Sequence, residues 1–105
     1  MPTEPNQVRW VGTRPASDQC PATATQSQVS VGTSSTSILA ANSGRISFLV
    51  KNISTTEVYV YLGATATTSN GIKLKEGDVI YGDCYTGAIT GITDSGTATV
   101  SAIEV

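Results

Sequence analysis

An all-β fold is the class this sequence predicts: a small antiparallel β-sandwich or barrel-like structure carrying an extended N-terminal arm. Three observations predict it. Short runs of alternating apolar and polar residues recur from Gln26 to the C-terminus, broken by turn residues at intervals of about eight to twelve, and none has the spacing of a helix face. Thr and Ser supply 28 of the 105 residues, sixteen and twelve respectively, and the apolar set is mostly Val, Ile and Ala, which suit a pleated surface. All four prolines, Pro2, Pro5, Pro15 and Pro21, fall at the N-terminal end, so nothing downstream removes a ladder donor. The chain divides accordingly into an arm over residues 1–26 and a sandwich domain over residues 27–105.

Inside the arm, Val8, Arg9, Trp10 and Val11 stand out, because they include the sole Trp of the chain. Trp10 has two readings of equal weight. It folds back as a cap on the domain's own core, or it anchors the arm in a groove of another subunit, as buried aromatics do at interfaces.

The elements follow in order. Gln26 to Gly32 reads as a strand with Val29 and Val31 inward, and Thr33 to Thr36 as a turn. Ser37 to Ala41 is a short apolar strand ended by Asn42, Ser43 and Gly44, residues that accept positive φ or bond their own backbone. Arg45 to Asn52 places Ile46, Phe48 and Val50 on one face and Leu49 on the other. After the polar turn Asn52 to Thr56, Glu57 to Gly63 sets Val58, Val60 and Leu62 against Tyr59 and Tyr61. These two strands are expected to form a hairpin at the centre of one sheet. Ala64 to Asn70 is a polar loop, and Asn70-Gly71 favours a tight turn. Ile72 and Leu74 begin another strand, Lys75 to Asp78 turns, and Val79 to Tyr81 starts the next. Gly87 to Thr93 and Thr97 to Val105 are the last two strands, separated by Asp94-Ser95-Gly96.

Composition narrows the function. One modest core is all the chain can build, since a domain this size buries about 60–70% of its unfolded surface. Charged residues make up 13%, the net charge is −2 and the pI is 4.8, so no basic field exists for nucleic acid or an acidic membrane surface. No apolar run approaches the ~20 residues of a membrane-spanning helix. The N-terminus lacks the basic-then-apolar order of a secretory leader, and synthesis in the cytosol is the expectation. Cys20 and Cys84 either form one disulfide or stay as small buried hydrophobes, the second being favoured in a reducing compartment. With no His in the chain, these two thiols make no zinc site.

Reaction chemistry finds few candidates. Glu4, Asp18, Glu57, Glu76, Asp78, Asp83, Asp94 and Glu104 fall mostly in turns, where carboxylates cap backbone amides. Glu76, Asp78 and Asp83 form the tightest cluster but lack the dense ligand spacing of a calcium loop. Without His no nucleophile–base pair can be assembled, so no enzyme, cofactor or metal is expected. Tyr59 and Tyr61 share one face of a strand and form a surface-binding candidate, weighed against ordinary cross-strand packing or a subunit contact.

The run Ala40 to Asp78 contains AANSGRISFLVKNIS, EVYVYLG and TATTSNGIKLKEGD. This succession of Ala-Asn, Arg, an apolar strand ending in Asn, a Val-Tyr strand closing on Leu-Gly, Asn-Gly and Leu-Lys-Glu-Gly resembles a pattern of small bacteriophage virion proteins. With the closing GTATVSAIEV it covers most of the folded part, whereas the arm lies outside it. The resemblance implies a virion structural β-sandwich, often a decoration or accessory protein of the capsid, sometimes part of a tail or fibre. The expectation is therefore a capsid decoration (cementing) protein at the virion surface, assembled in the host cytoplasm. Its partners would be the major capsid protein, other virion proteins and its own copies, gathered as a homotrimer. The alternative is a receptor- or carbohydrate-binding module of a tail or head fibre, using Tyr59, Tyr61 and the loop Ala64 to Asn70.

Overall fold

Where the alternation is strongest, the chain is extended. The computed structural model describes residues 22–105 and contains eight strands there: β1 Thr25–Val31, β2 Thr36–Leu39, β3 Ser47–Asn52, β4 Val58–Tyr61, β5 Ile72–Leu74, β6 Val79–Asp83, β7 Ile89–Ile92 and β8 Ala98–Glu104. They form two four-stranded antiparallel sheets, β1-β8-β3-β6 (sheet A) and β2-β7-β4-β5 (sheet B). The all-β antiparallel sandwich predicted from sequence is thus observed, while residues 1–21 of the predicted arm lie outside the described residues. Val8, Arg9, Trp10, Val11 and Cys20 lie outside the described residues.

The strand order has a simple origin. The first four strands pair with the last four in reverse, β1 with β8, β2 with β7, β3 with β6 and β4 with β5, as in one long double ribbon. Rolling that ribbon brings β8 against β3 and β7 against β4, which closes each sheet. The result is the eight-stranded jelly-roll arrangement.

The predicted hairpin of the Phe48 and Val58 strands does not form. β3 and β4 are both interior strands, but of different sheets. The reason lies in their apolar faces and in the link between them. Phe48 and Val50 on β3 and Val58 and Val60 on β4 are all buried, and facing sheets bury both sets against each other where neighbours in one sheet could not. Asn52, fully buried, turns the chain across the gap. Its Nδ2 donates to the carbonyls of Thr56 (2.8 Å) and Leu74 (3.0 Å), and its Oδ1 accepts the N–H (3.0 Å) and the hydroxyl (2.8 Å) of Ser54. Leu62 also departs from expectation: β4 ends at Tyr61, and Leu62 is exposed. Cys84 is no buried hydrophobe either, for it lies exposed just past β6 with φ 64, turned away from the core.

Val31, Ile38, Leu39, Phe48, Val50, Val58, Val60, Leu74, Ile89, Ala98, Val100 and Ala102 form the core between the sheets. Gly91 belongs to this layer because a methyl group there would lie 2.8 Å from Ile38 Cδ1. Tyr85 closes one end, its ring edge-on to Phe48 at 6.4 Å between centroids and its hydroxyl donating to the Ala88 carbonyl at 2.8 Å. Two turns need positive φ and have glycine, Gly77 (84°) and Gly96 (76°).

Arg45 is the one buried cation among the described residues. Its Nε donates to Glu104 Oε1 at 2.8 Å, Nη1 to the carbonyls of Tyr85 (3.0 Å) and Gly87 (2.9 Å), and Nη2 to that of Ala40 (2.7 Å). Asn42 Nδ2 reaches the same Glu104 oxygen at 3.3 Å. A planar fork with five donors suits such a set, and it ties the β2–β3 loop, the β6–β7 loop and the end of β8 together.

Candidate functional site

Tyr59 and Tyr61 stand on the outer face of sheet B, since Val58 and Val60 between them point inward. Tyr59 lies across from Ile92 on one side and Lys73 on the other, and Tyr61 across from Thr90. Both rings are half-buried. The cause is the glycines that bracket the following loop. A side chain at Gly63 would run into the Tyr61 ring, and one at Gly71 would lie 2.8 Å from Tyr59 Cβ.

The loop between those glycines is held by its own polar groups. Asn70 Oδ1 accepts the Thr67 N–H at 2.7 Å, and Asn70 Nδ2 donates to the Thr65 carbonyl at 3.3 Å. Ala66 is buried and its N–H donates to Ser35 Oγ at 2.9 Å, pinning the loop to the β1–β2 turn. The sequence assigned this segment as a contact surface, and the structure sets it beside the tyrosines.

Near this face, at the end of sheet B, lies an open cleft of about 450 Å³, lined by Thr56, Glu57, Asp94, Ser95 and Gly96. Two turns make it, the β3–β4 link and the β7–β8 turn. Glu57 precedes Tyr59 by two residues and Asp94 follows Ile92 by two, so period-2 alternation puts both carboxylates on the side of the tyrosine. Lys73 bridges the arrangement, its Nζ 3.1 Å from Glu57 Oε1. The hydrogen bond and charge of Glu57, with smaller contributions from Tyr59 and Asp94, hold the Lys73 ammonium above the ordinary lysine range. Turn placement was legible for Glu57 and Asp94; their convergence was not, because it depends on the β4–β7 register.

Chemically the surface offers an aromatic ring, two carboxylates, an ammonium and the hydroxyls of Thr56 and Ser95. Such a set hydrogen-bonds and stacks on a polyhydroxyl ligand. Among the described residues no three metal-ligating side chains gather. Glu76, Asp78 and Asp83 are not brought together: Asp78 Oδ2 accepts the Lys75 N–H at 2.9 Å within its turn, and Asp83 sits at the far end of β6. No helix of the described residues is long and apolar enough to cross a membrane.

Comparisons with family models, with curated proteins and with solved structures find no match for this chain.

Proposed function

We propose that this chain is a non-enzymatic structural protein of a bacteriophage particle, a capsid decoration protein that binds the major capsid protein and neighbouring copies through its arm and the base of its sandwich. The observation that carries the reading is the rolled strand order β1-β8-β3-β6 over β2-β7-β4-β5, an architecture that recurs in viral capsid domains. The Ala40 to Asp78 sequence pattern supports it independently. Both supports are analogies, of architecture and of sequence. In this reading Val8, Arg9, Trp10 and Val11 anchor the arm on an adjacent subunit, and many weak contacts repeated over a shell sum through multivalency. Mass spectrometry and microscopy of purified particles test it. The chain is expected on the capsid surface, and Trp10→Ala in the full-length protein is expected to lower its occupancy there. Absence from particles rejects the reading.

A second reading is favoured by the surface around Tyr59. Jelly rolls also serve as lectin domains, and a cleft with two carboxylates near a tyrosine on the same sheet face suits a sugar. As a carbohydrate- or receptor-binding module of a fibre, the protein would show saturable binding on a glycan array. That binding would be lost in Tyr59→Ala and Asp94→Ala and retained in a variant of the opposite sheet such as Leu49→Ser.

A further inference from the structure

We infer that β6 is the contact through which two copies of this chain join, edge to edge across a two-fold axis, continuing sheet A from four strands into eight. The inference rests on how the sheet edges are finished. An edge strand presents unpaired N–H and C=O groups, and edges are ordinarily blunted by shortness, by Lys or Pro, or by a bulge. Sheet B follows that rule on both sides: β5 has three residues with Lys73 in the middle, and the β2 register breaks between Ser37 and Leu39. At the β6 edge of sheet A it is not followed. β6 runs five residues in unbroken register with β3, without Lys, Arg, Pro or bulge, and no described strand pairs with its outer side.

The side chains of β6 point to a second copy of itself as the occupant. Val79 and Tyr81 face outward, 42% and 77% exposed, the latter the most exposed large hydrophobic residue of the described chain. Tyr81 continues an apolar row across the sheet, opposite Leu49, which is opposite Ile103. Tyr81 is also the middle residue of Val79–Asp83. A two-fold axis normal to the sheet therefore sets Tyr81 beside Tyr81 of the second copy and joins the two rows into one. The same register places Val79 opposite Asp83 of the second copy. Lys51 lies directly behind Val79 on β3, so its backbone is two strand spacings, about 10 Å, from the Asp83 backbone of the second copy, a gap the two side chains together span. The axis generates this Lys51–Asp83 complement twice, and among the described residues neither charge has an ion partner of its own. The other edge of sheet A, β1, offers Tyr81 no such match, because its outward residues Gln26, Gln28 and Ser30 are all polar. A strand of five residues makes a small interface, so the dimer is a concentration-dependent one.

This contact does not depend on the virion reading and differs in symmetry from the homotrimer expected from sequence. The test uses the full-length chain. Sedimentation equilibrium over a range up to high micromolar concentration is expected to give a monomer–dimer equilibrium, abolished by Tyr81→Lys. Asp83→Lys is expected to weaken association about fivefold or more, and Lys51→Asp combined with Asp83→Lys to restore it. In a Cys20→Ser, Cys84→Ser background, Tyr81→Cys should oxidise to a disulfide-linked dimer, since the axis brings that position against itself, and Gln28→Cys should not. A monomer at all concentrations, a trimer, or cross-linking through Gln28→Cys in place of Tyr81→Cys overturns the inference. Circular dichroism of each variant shows that loss of association is not loss of fold.

Discussion

Replacing Arg45 with Met keeps the volume of the side chain and removes its charge and all its donors. Four acceptors then lose the guanidinium at once: the carbonyls of Ala40, Tyr85 and Gly87, and Glu104 Oε1, which keeps only the 3.3 Å bond from Asn42. The arginine side chain is fully buried and that of Glu104 only 16% exposed, so water replaces little of what is lost. Breaking a buried pair by removing one partner costs about 3–5 kcal/mol, because the remaining charge stays desolvated. A domain of this size has about 4–13 kcal/mol in total. With a loss near 4 kcal/mol, Tm should fall by about 15–30 °C. Glu104→Gln keeps an oxygen that accepts from Arg45 but leaves the buried guanidinium without its countercharge, so it should cost about 2–4 kcal/mol. Combining it with Arg45→Met should recover part of the loss by removing the stranded charge. Urea unfolding followed by far-UV circular dichroism measures each value. A Met variant within about 1 kcal/mol of the parent would refute the view that this network holds the end of the sandwich.

Asn52→Leu removes the side chain that lets β3 cross to β4: the Ser54 N–H loses its acceptor, the Leu74 carbonyl loses the Asn52 donor, and the Thr56 carbonyl keeps only the 3.4 Å bond from the Ser54 hydroxyl. Its expected cost is about 2–4 kcal/mol in the same urea assay. Gly91→Ala should cost about 1–3 kcal/mol by overpacking against Ile38, and Ile38→Val in the same chain should restore part of it. Because Lys73 titrates above its unfolded value, the stability it adds is complete below the unfolded pKa of 10.5 and is lost as pH rises through the folded value. Stability of Lys73→Met relative to the parent should therefore be flat from pH 6 to about 9 and shift only at strongly alkaline pH, measured by thermal melts.

Local signals carried most of what the sequence revealed. Val58 and Val60 against Tyr59 and Tyr61, and Val100 with Ala102, announce their faces through strict alternation, which the chain obeys residue by residue. Asn42 to Gly44, Lys75 to Asp78 and Asp94 to Gly96 turn where their side chains and glycines allow. The partition of strands between sheets escaped, because it is written in pairings such as Thr25 with Glu104 that no window of sequence spans. A polar link between two alternating strands reads equally well as a hairpin or as a crossing, and only the buried Asn52 decides. Arg45 looked like an ordinary strand opener for the same reason: its partners arrive from residues 40, 85, 87 and 104. On the outer face of sheet B, the aromatic pair was visible and the nearby carboxylates Glu57 and Asp94 were seen singly as turn residues.

The central place of β8 in sheet A has a consequence for synthesis. Until Ala98–Glu104 has left the ribosome, β1 and β3 lack the strand that separates them, and Arg45 lacks its carboxylate. A nascent chain can close the β4–β5 end of the ribbon early, but its seven-residue final strand must slot between two waiting edges. Completion of sheet A thus waits for β8 to emerge and hinges on long-range pairing, the slow kind of folding step, during which exposed strands must be kept from finding the wrong neighbour.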